Sequence, residues 1–399
     1  MPAHPDPPPP TPVGEADSPM DTGRSGRRPS GEAWGHVREL LTYWRARWPE
    51  ALVRLGLVAP LAIWAVLVIA LAGGVGGHPS PVRWMVALTW LPVFLALALG
   101  FRNRARTVVA LGLWSAPVVS FFLLLSPSND RNWEAPSSRT AHATIDGTWV
   151  TLHDIRDFRY DAHGSWAPNW YDATYDLAEL EETWFVLTEF GELDGLAHVM
   201  VSFQFAGGRY VVISVEIRRQ EGEVYSPLGG AFRQYELMYV VADERDAIGL
   251  RTLVHGDPTW VIPMNAGPEA SRAFFMDMVE RVNELHQQPA WYNTIFASCA
   301  SSLADHYERV NEVRLGWDRR IFLPGFGDEL LEELDLLPPG MDRAEVRRRF
   351  RVNERAVADG GSERFSRAIR SARADLNPSN APTSDAIEPA SGRVDQGGG

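Results

Sequence analysis

One side chain in this sequence can serve as a strong nucleophile, the lone cysteine Cys299 among 399 residues. It follows Tyr292-Asn293-Thr294-Ile295-Phe296-Ala297-Ser298 and opens an apolar-periodic run through Val310. A helix starting near Ser298 would put the thiol in its first turn, where unpaired amides and the helix dipole favour a thiolate. The same residue also fits a thiol packed as a small buried hydrophobe. With no second cysteine, an internal disulfide and a paired-cysteine zinc site are excluded.

A nucleophilic thiol needs a base. His198 stands in the alternating run Leu196–Phe205, with Ser202 and Gln204 on its face and Val199, Val201, Phe203 and Phe205 on the other. The next run, Arg209–Arg218, sets Ser214, Glu216 and Arg218 against Val211, Ile213, Val215 and Ile217. If the loop Ala206-Gly207-Gly208 makes Phe205 pair with Arg209, the register carries His198 opposite Glu216. A carboxylate there would fix the imidazole tautomer and raise its basicity, giving a Cys299–His198–Glu216 chain. A solvated sheet face fits the same pattern. His306 lies about 10 Å along the helix axis from Cys299, too far to touch it, and His153 is a spare candidate. No HExxH, GxxxxGK or GxSxG pattern occurs, and no cofactor or metal is expected.

The elements that must hold these residues are an α+β body behind three membrane spans. Leu55–Gly76, Trp84–Gly100 and Thr107–Leu125 contain no charged residue, and each approaches the roughly 20 residues that cross a bilayer. Arginines crowd the segment before the first span and the loop after the second (Arg102, Arg104, Arg106), whereas the loop between the first two holds only Arg83. This asymmetry predicts a cytoplasmic N-terminus, a bacterial inner-membrane location and a periplasmic body after Leu125. Residues 1–33 and 376–399 read as disordered tails. Residues 34–54 read as an amphipathic juxtamembrane helix, or equally as an inward extension of the first span. Strands are expected at Thr148–His153, Leu196–Phe205, Arg209–Arg218 and Arg233–Val241, then helices at Pro268–Gln287 and Ile295–Val310 and a charged helical segment at Arg343–Arg373.

Composition narrows the chemistry further. All 38 basic residues are arginine, so lysine Schiff bases and P-loop lysines are excluded. From residue 107 onward 27 arginines face 44 acids, a balance of −17 that repels nucleic acid.

Several ordered motifs between about residues 145 and 375 resemble the Lnb N-terminal periplasmic domain family. They include Val150-Thr151-Leu152-His153-Asp154-Ile155-Arg156-Asp157-Phe158-Arg159-Tyr160, Tyr171-Asp172, Tyr175-Asp176-Leu177, Ala197-His198 with Ser202-Phe203, and Ser214-Val215-Glu216. Phe232-Arg233-Gln234-Tyr235-Glu236-Leu237, Val241-Ala242-Asp243-Glu244-Arg245-Asp246 and Tyr292-Asn293-Thr294 leading to Cys299 complete the set. The resemblance implies a permuted papain-like (NlpC-type) domain in which the histidine strand precedes the cysteine helix. It also implies a lipoprotein N-acyltransferase-like thioester route: His198 takes the thiol proton, Cys299 attacks a phospholipid ester, and the acyl group passes to a lipoprotein amine. Membrane phospholipid and lipoprotein are the implied partners. The chain departs from the family pattern at Ser298, where asparagine is common, and from the acyltransferase that gives the family its name in placing its spans before the domain. A cell-wall cysteine peptidase or amidase, or a non-catalytic periplasmic sensory or binding domain, could use the same layout. Apolar neighbours of Cys299 such as Trp291, Ile295 and Phe296 near the bilayer would mark a lipid enzyme. Arg233, Tyr235, Glu236 and Arg245 are read as structural.

Overall fold

The computed structural model describes residues 31–73, 80–160, 165–190 and 195–374, with 31–48 and 373–374 described by backbone only. The expected tails at 1–33 and 376–399 lie outside the described residues, except 31–33 at the start of the first helix. The chain divides into two compact units at the Ala59–Pro60 boundary. Helix α1 runs unbroken over Gly31–Leu71 and takes in residues 34–54; α2 is Pro81–Gly100 and α3 is Arg104–Leu124. Within them Pro49–Leu71, Pro81–Gly100 and Arg104–Leu124 are long and apolar enough to cross a membrane. Small residues let these helices approach closely: Ala62, Ala65 and Ala70 of α1 and Ala87 and Ala98 of α2 are buried. Leu57, Val108, Leu113 and Leu124 are exposed, as lipid-facing side chains would be. Arg83 caps the end of α1 by donating to the Ile69 carbonyl at 2.8 Å and to the Ala72 carbonyl.

The body that follows contains β1 (His142–Asp146), β2 (Trp149–Arg156), β3 (Arg159–Tyr160), β4 (Trp166–Ala167), β5 (Trp170–Asp176), β6 (Leu180–Glu189), β7 (Ala197–Phe205) and β8 (Arg209–Arg218). A short helix α4 (Pro227–Ala231) precedes β9 (Glu236–Ala242), α5 (Glu244–Gly249) and β10 (Thr259–Pro263). Then come α6 (Pro268–Gln287), α7 (Cys299–Asn311), α8 (Arg319–Phe322), α9 (Gly327–Glu333), α10 (Arg343–Arg349), α11 (Asn353–Asp359), α12 (Phe365–Ile369) and α13 (Ser371–Ala374). The main sheet has the order β1-β2-β9-β8-β7-β6-β10, with β5 also paired to β2.

Alternation decides what each sheet face meets. Val199, Val201, Phe203, Val211 and Ile213 face α6 and α7, joining Phe275, Met278, Val282 and Leu303 in one core. The opposite face is not solvated. Met200, Val212, Met238 and Val240 lie on it and are roofed by Ile248, Val352, Ala356, Phe365 and Ile369. Half its positions are apolar, so leaving it in water would forfeit their burial; the polar residues between them are buried with them and must find partners. Ser202 does so by donating to Glu244 at 2.5 Å, and Arg370 of the C-terminal helices binds both Glu244 oxygens. This ion pair is fully enclosed, and removing one partner strands a charge. Arg370→Ala is therefore expected to destabilise the fold by about 3 kcal/mol, read as a fall in denaturant midpoint with an unchanged slope.

The segment 343–373 is four short helices rather than one. Phe350 and the bridge between Arg351 and Trp260 interrupt the first, and Gly360, in a left-handed conformation (φ 67°), ends the second.

Candidate functional site

The loop Ala206-Gly207-Gly208 sets the decisive register. Both glycines have positive φ (76° and 72°), where glycine is unstrained, and Phe205 pairs with Arg209. The β7–β8 ladder continues only to Met200↔Ser214. Beyond it the strands part, and the N-terminus of α7 meets the opening: the Val199 amide donates to the Cys299 sulfur instead of to a strand. The same register brings Glu216 Oε1 to 3.0 Å from His198 Nε2. Ser214 Oγ lies 2.7 Å from that nitrogen and donates to Glu216 Oε1 at 2.9 Å. With Nε2–H directed at Glu216 and Ser214, Nδ1 is left for the thiol of Cys299, which hydrogen-bonds to His198. The structure thus brings Cys299, His198 and Glu216 together in one chain of contacts.

The electrostatics favour a charged pair. Burial opposes the imidazolium, but the Glu216 carboxylate and the Cys299 sulfur outweigh it and push the His198 pKa up to about 9. Burial likewise opposes the Cys299 thiolate; the His198 charge and its hydrogen bond, with the Val199 amide, hold the thiol below its ordinary range. Glu216 is held well below the usual carboxylate range, its burial being overcome by His198. Each partner thus lowers the cost of charging the other.

The approach to Cys299 is built by local hydrogen bonds. Residues 290–292 run beside the start of β9, with Leu237 N–H bound to the Ala290 carbonyl (2.8 Å) and Tyr292 N–H to the Tyr235 carbonyl (3.0 Å). Asn293 Oδ1 then accepts from the amides of Ile295 (2.9 Å) and Phe296 (3.0 Å), a turn that leaves both apolar side chains exposed at its tip. Ser298 is the N-cap of α7: its hydroxyl accepts from Ser301 N–H, and Ser301 Oγ accepts from Ser298 N–H (2.8 Å). Serine and asparagine are nearly equivalent as caps. The residue before Cys299 therefore acts through the helix end, and Ser298→Asn is expected to keep thiol reactivity. Ser298→Ala should lose about 1 kcal/mol of stability; melting curves paired with alkylation rates check both.

Two tyrosines that sequence reasoning did not single out as site residues border the thiol. Tyr225 and Tyr292 share a hydrogen bond and both sense the Cys299 charge. Ser214 was also missed as a partner of His198. Its place on the polar face was visible, but the parting of β7 from β8 was not.

The remaining histidines and polar residues are placed elsewhere. His306 is buried, with Nε2 2.8 Å from the Tyr239 hydroxyl and Nδ1 bound to Asp277. His153, three strands from β7 in the sheet order, pairs with Asp172 at 2.8 Å and stacks on His142. Glu236 binds Arg131 (2.7 Å) and the Ser128 amide, Tyr235 pins the Val224 carbonyl (2.6 Å), and Arg245 pairs with Asp243. Among the described residues no group of three His, Cys, Asp or Glu side chains is disposed to hold a metal ion.

Arg233 connects this site to the spans. It has φ 57°, its carbonyl accepts from Gly73 N–H just beyond α1, and its guanidinium donates to the Phe122 carbonyl of α3 at 2.7 Å while covering the Phe122 ring. Immediately before it, α4 lies against the Cys299 loop. A Cβ at Gly230 would meet Thr294 Oγ1 at 2.5 Å, and Thr294 donates to the Pro227 carbonyl at 2.6 Å. Leu228, Ile295 and Phe296 form an exposed apolar rim there, and Phe296 packs edge-on to Trp317, which is 79% exposed.

Three apolar helices joined to a sheet domain that sets a cysteine beside a histidine and a glutamate define a membrane protein with a folded extramembrane domain. Residues 166–324 match the model of the Lnb N-terminal periplasmic domain family, a span that holds His198, Glu216 and Cys299. The match and the three apolar helices fit a membrane-associated protein whose folded domain is similar to that periplasmic family. No curated protein and no solved structure matches it.

Proposed function

We propose that this protein is a membrane-anchored cysteine acyltransferase or hydrolase that takes an acyl group from a membrane lipid through a thioester on Cys299. The observation that carries the reading is the tie through Arg233, which sets the Cys299 rim beside the ends of α1 and α3. A nucleophile tied to the span ends is suited to ester carbonyls at the lipid surface. A peptidase of the cell wall would need a polar cleft, whereas the exposed rim is Leu228, Ile295, Phe296 and Trp317. Trp291 is half-buried beneath Arg131, so Ile295 and Phe296 supply the apolar contact.

Each residue has one task. Cys299 Sγ, as thiolate, attacks the ester carbonyl carbon, and the carbonyl oxygen takes the negative charge next to the free amides of the first turn of α7. The C–O bond breaks, and His198 gives its proton to the departing alkoxide, releasing a lysolipid. An acceptor amine, as on a lipoprotein N-terminus, then loses a proton to His198 as it attacks the thioester, and the C–S bond breaks to restore the thiolate. With water as acceptor the outcome is hydrolysis. Glu216 and Ser214 hold the imidazole so that Nδ1 faces the sulfur throughout. The resemblance to permuted papain-like enzymes fits the order of histidine strand before cysteine helix, and the Arg102–Arg106 cluster, at the opposite end of α3 from Arg233, fits a periplasmic domain across an inner membrane.

The test is to incubate the full-length protein with phospholipid vesicles and measure the mass of the Cys299 peptide. A hydroxylamine-labile acyl adduct, absent in Cys299→Ala, is expected. A parent protein that stays unmodified while its thiol remains alkylatable would refute the lipid reading.

A further inference from the structure

A cavity of about 240 Å³ lies between the sheet, α6, α7 and α8–α9. Its walls are apolar, with Phe185 and Val201 from the sheet, Leu303 from α7 and Leu331 from α9. Along α7 it extends from Ala300 to Asn311, roughly 16 Å of helix. At one end Ala300 and Val199 adjoin Cys299 and His198 in sequence. At the other stands the first turn of α6.

That second end is polar and unsatisfied. Thr183 and Ser271, 3% and 2% exposed, line the cavity, and neither hydroxyl has a hydrogen-bond partner among the described residues. Gly267, the N-cap of α6, has no side chain to cap with, and Pro268 has no N–H. The first intrahelical bond is Ser271 N–H to the Gly267 carbonyl, so the amides of Glu269 and Ala270 precede the ladder. The buried hydroxyl of Thr183 on β6, with the Ser271 hydroxyl and the Ala270 amide at the positive end of the 20-residue α6, forms a set of donors suited to an anion. Arg320 in the same wall is already held by Asp318 and by Glu333 at 2.6 Å, which leaves neutral donors to recognise the head.

We propose that this cavity binds a long-chain fatty acid. Its carboxylate oxygens accept from Thr183, Ser271 and the Ala270 amide, and its alkyl chain lies along α7 toward Ala300. An unbranched chain with one terminal anion matches an apolar space that runs beside a helix and has donors at one end. The assignment does not rest on a thioester at Cys299.

The full-length protein in phosphatidylcholine nanodiscs would be titrated with palmitate, following the melting temperature and saturable labelling by a photoactivatable palmitate analogue. Labelling is expected in α6, α7 and the 319–336 segment, with hexadecanol and hexadecyltrimethylammonium competing at least tenfold more weakly. Thr183→Val with Ser271→Ala removes only the unpaired hydroxyls, so the unliganded melting temperature should equal or exceed the parent's while palmitate binding weakens at least tenfold. Cys299→Ala should bind as the parent does, which separates this site from the acylation reading. Equal competition by all three head groups, undiminished binding in the double variant, or no saturable labelling of the parent would each overturn the assignment.

Discussion

Replacing His198 by alanine is expected to slow alkylation of Cys299 at pH 7 by at least tenfold. The thiol is buried, and burial alone would raise its pKa; it is lowered chiefly by the His198 charge and hydrogen bond. Without that charge and hydrogen bond, burial pushes the thiol up and little of it is thiolate at pH 7. The more basic sulfur that remains is a better nucleophile, but a Brønsted dependence of about 0.4–0.5 returns only part of that loss. The alanine variant should regain speed only as the pH approaches the ordinary thiol range, and iodoacetamide rates from pH 5 to 10 measure this. A thiol equally reactive with and without His198 would remove the activated nucleophile and with it the catalytic reading.

Turnover should be bell-shaped on the same grounds. The acid limb follows the coupled loss of the thiolate, and the alkaline limb falls near 9, where His198 loses the proton needed by the leaving group. Glu216 raises the His198 pKa, so Glu216→Gln is expected to move the alkaline limb to lower pH. A limb that stays in place would show that Glu216 does not act on the imidazole.

Much of this site was readable from the sequence because strands carry strict two-residue alternation. The spacing of Val199, Val201 and Phe203 against His198 and Ser202, with the three-residue glycine loop, was enough to place Glu216 opposite His198. Arg209–Arg218 and Pro268–Gln287 were likewise legible because period 2 and period 3.6 are unbroken there. Strand β6 was not, since Thr183-Trp184-Phe185-Val186-Leu187-Thr188 is apolar on both faces and shows no period. The second roof over the sheet was hidden for a related reason: Val352, Ala356, Phe365 and Ile369 come from short helices whose patterns are too brief to count. The tie between Arg233 and Phe122 joins residues 111 apart through a backbone carbonyl, which no side-chain pattern encodes.

That tie yields the test most specific to a membrane substrate. Arg233→Gly keeps the positive φ without strain and removes the guanidinium that holds the Phe122 carbonyl. The Cys299–His198–Glu216 contacts lie on α7, β7 and β8 and do not include Arg233. Hydrolysis of a soluble short-chain ester should therefore be nearly unchanged. Turnover of phospholipid in vesicles should fall at least tenfold, because holding the nucleophile at the lipid surface supplies an effective concentration that a loosely tethered domain lacks. An equal fall on both substrates would make Arg233 a support of the site itself. Unchanged turnover on both would mean that the rim gains nothing from the spans, and the lipid reading would lose the observation that carries it.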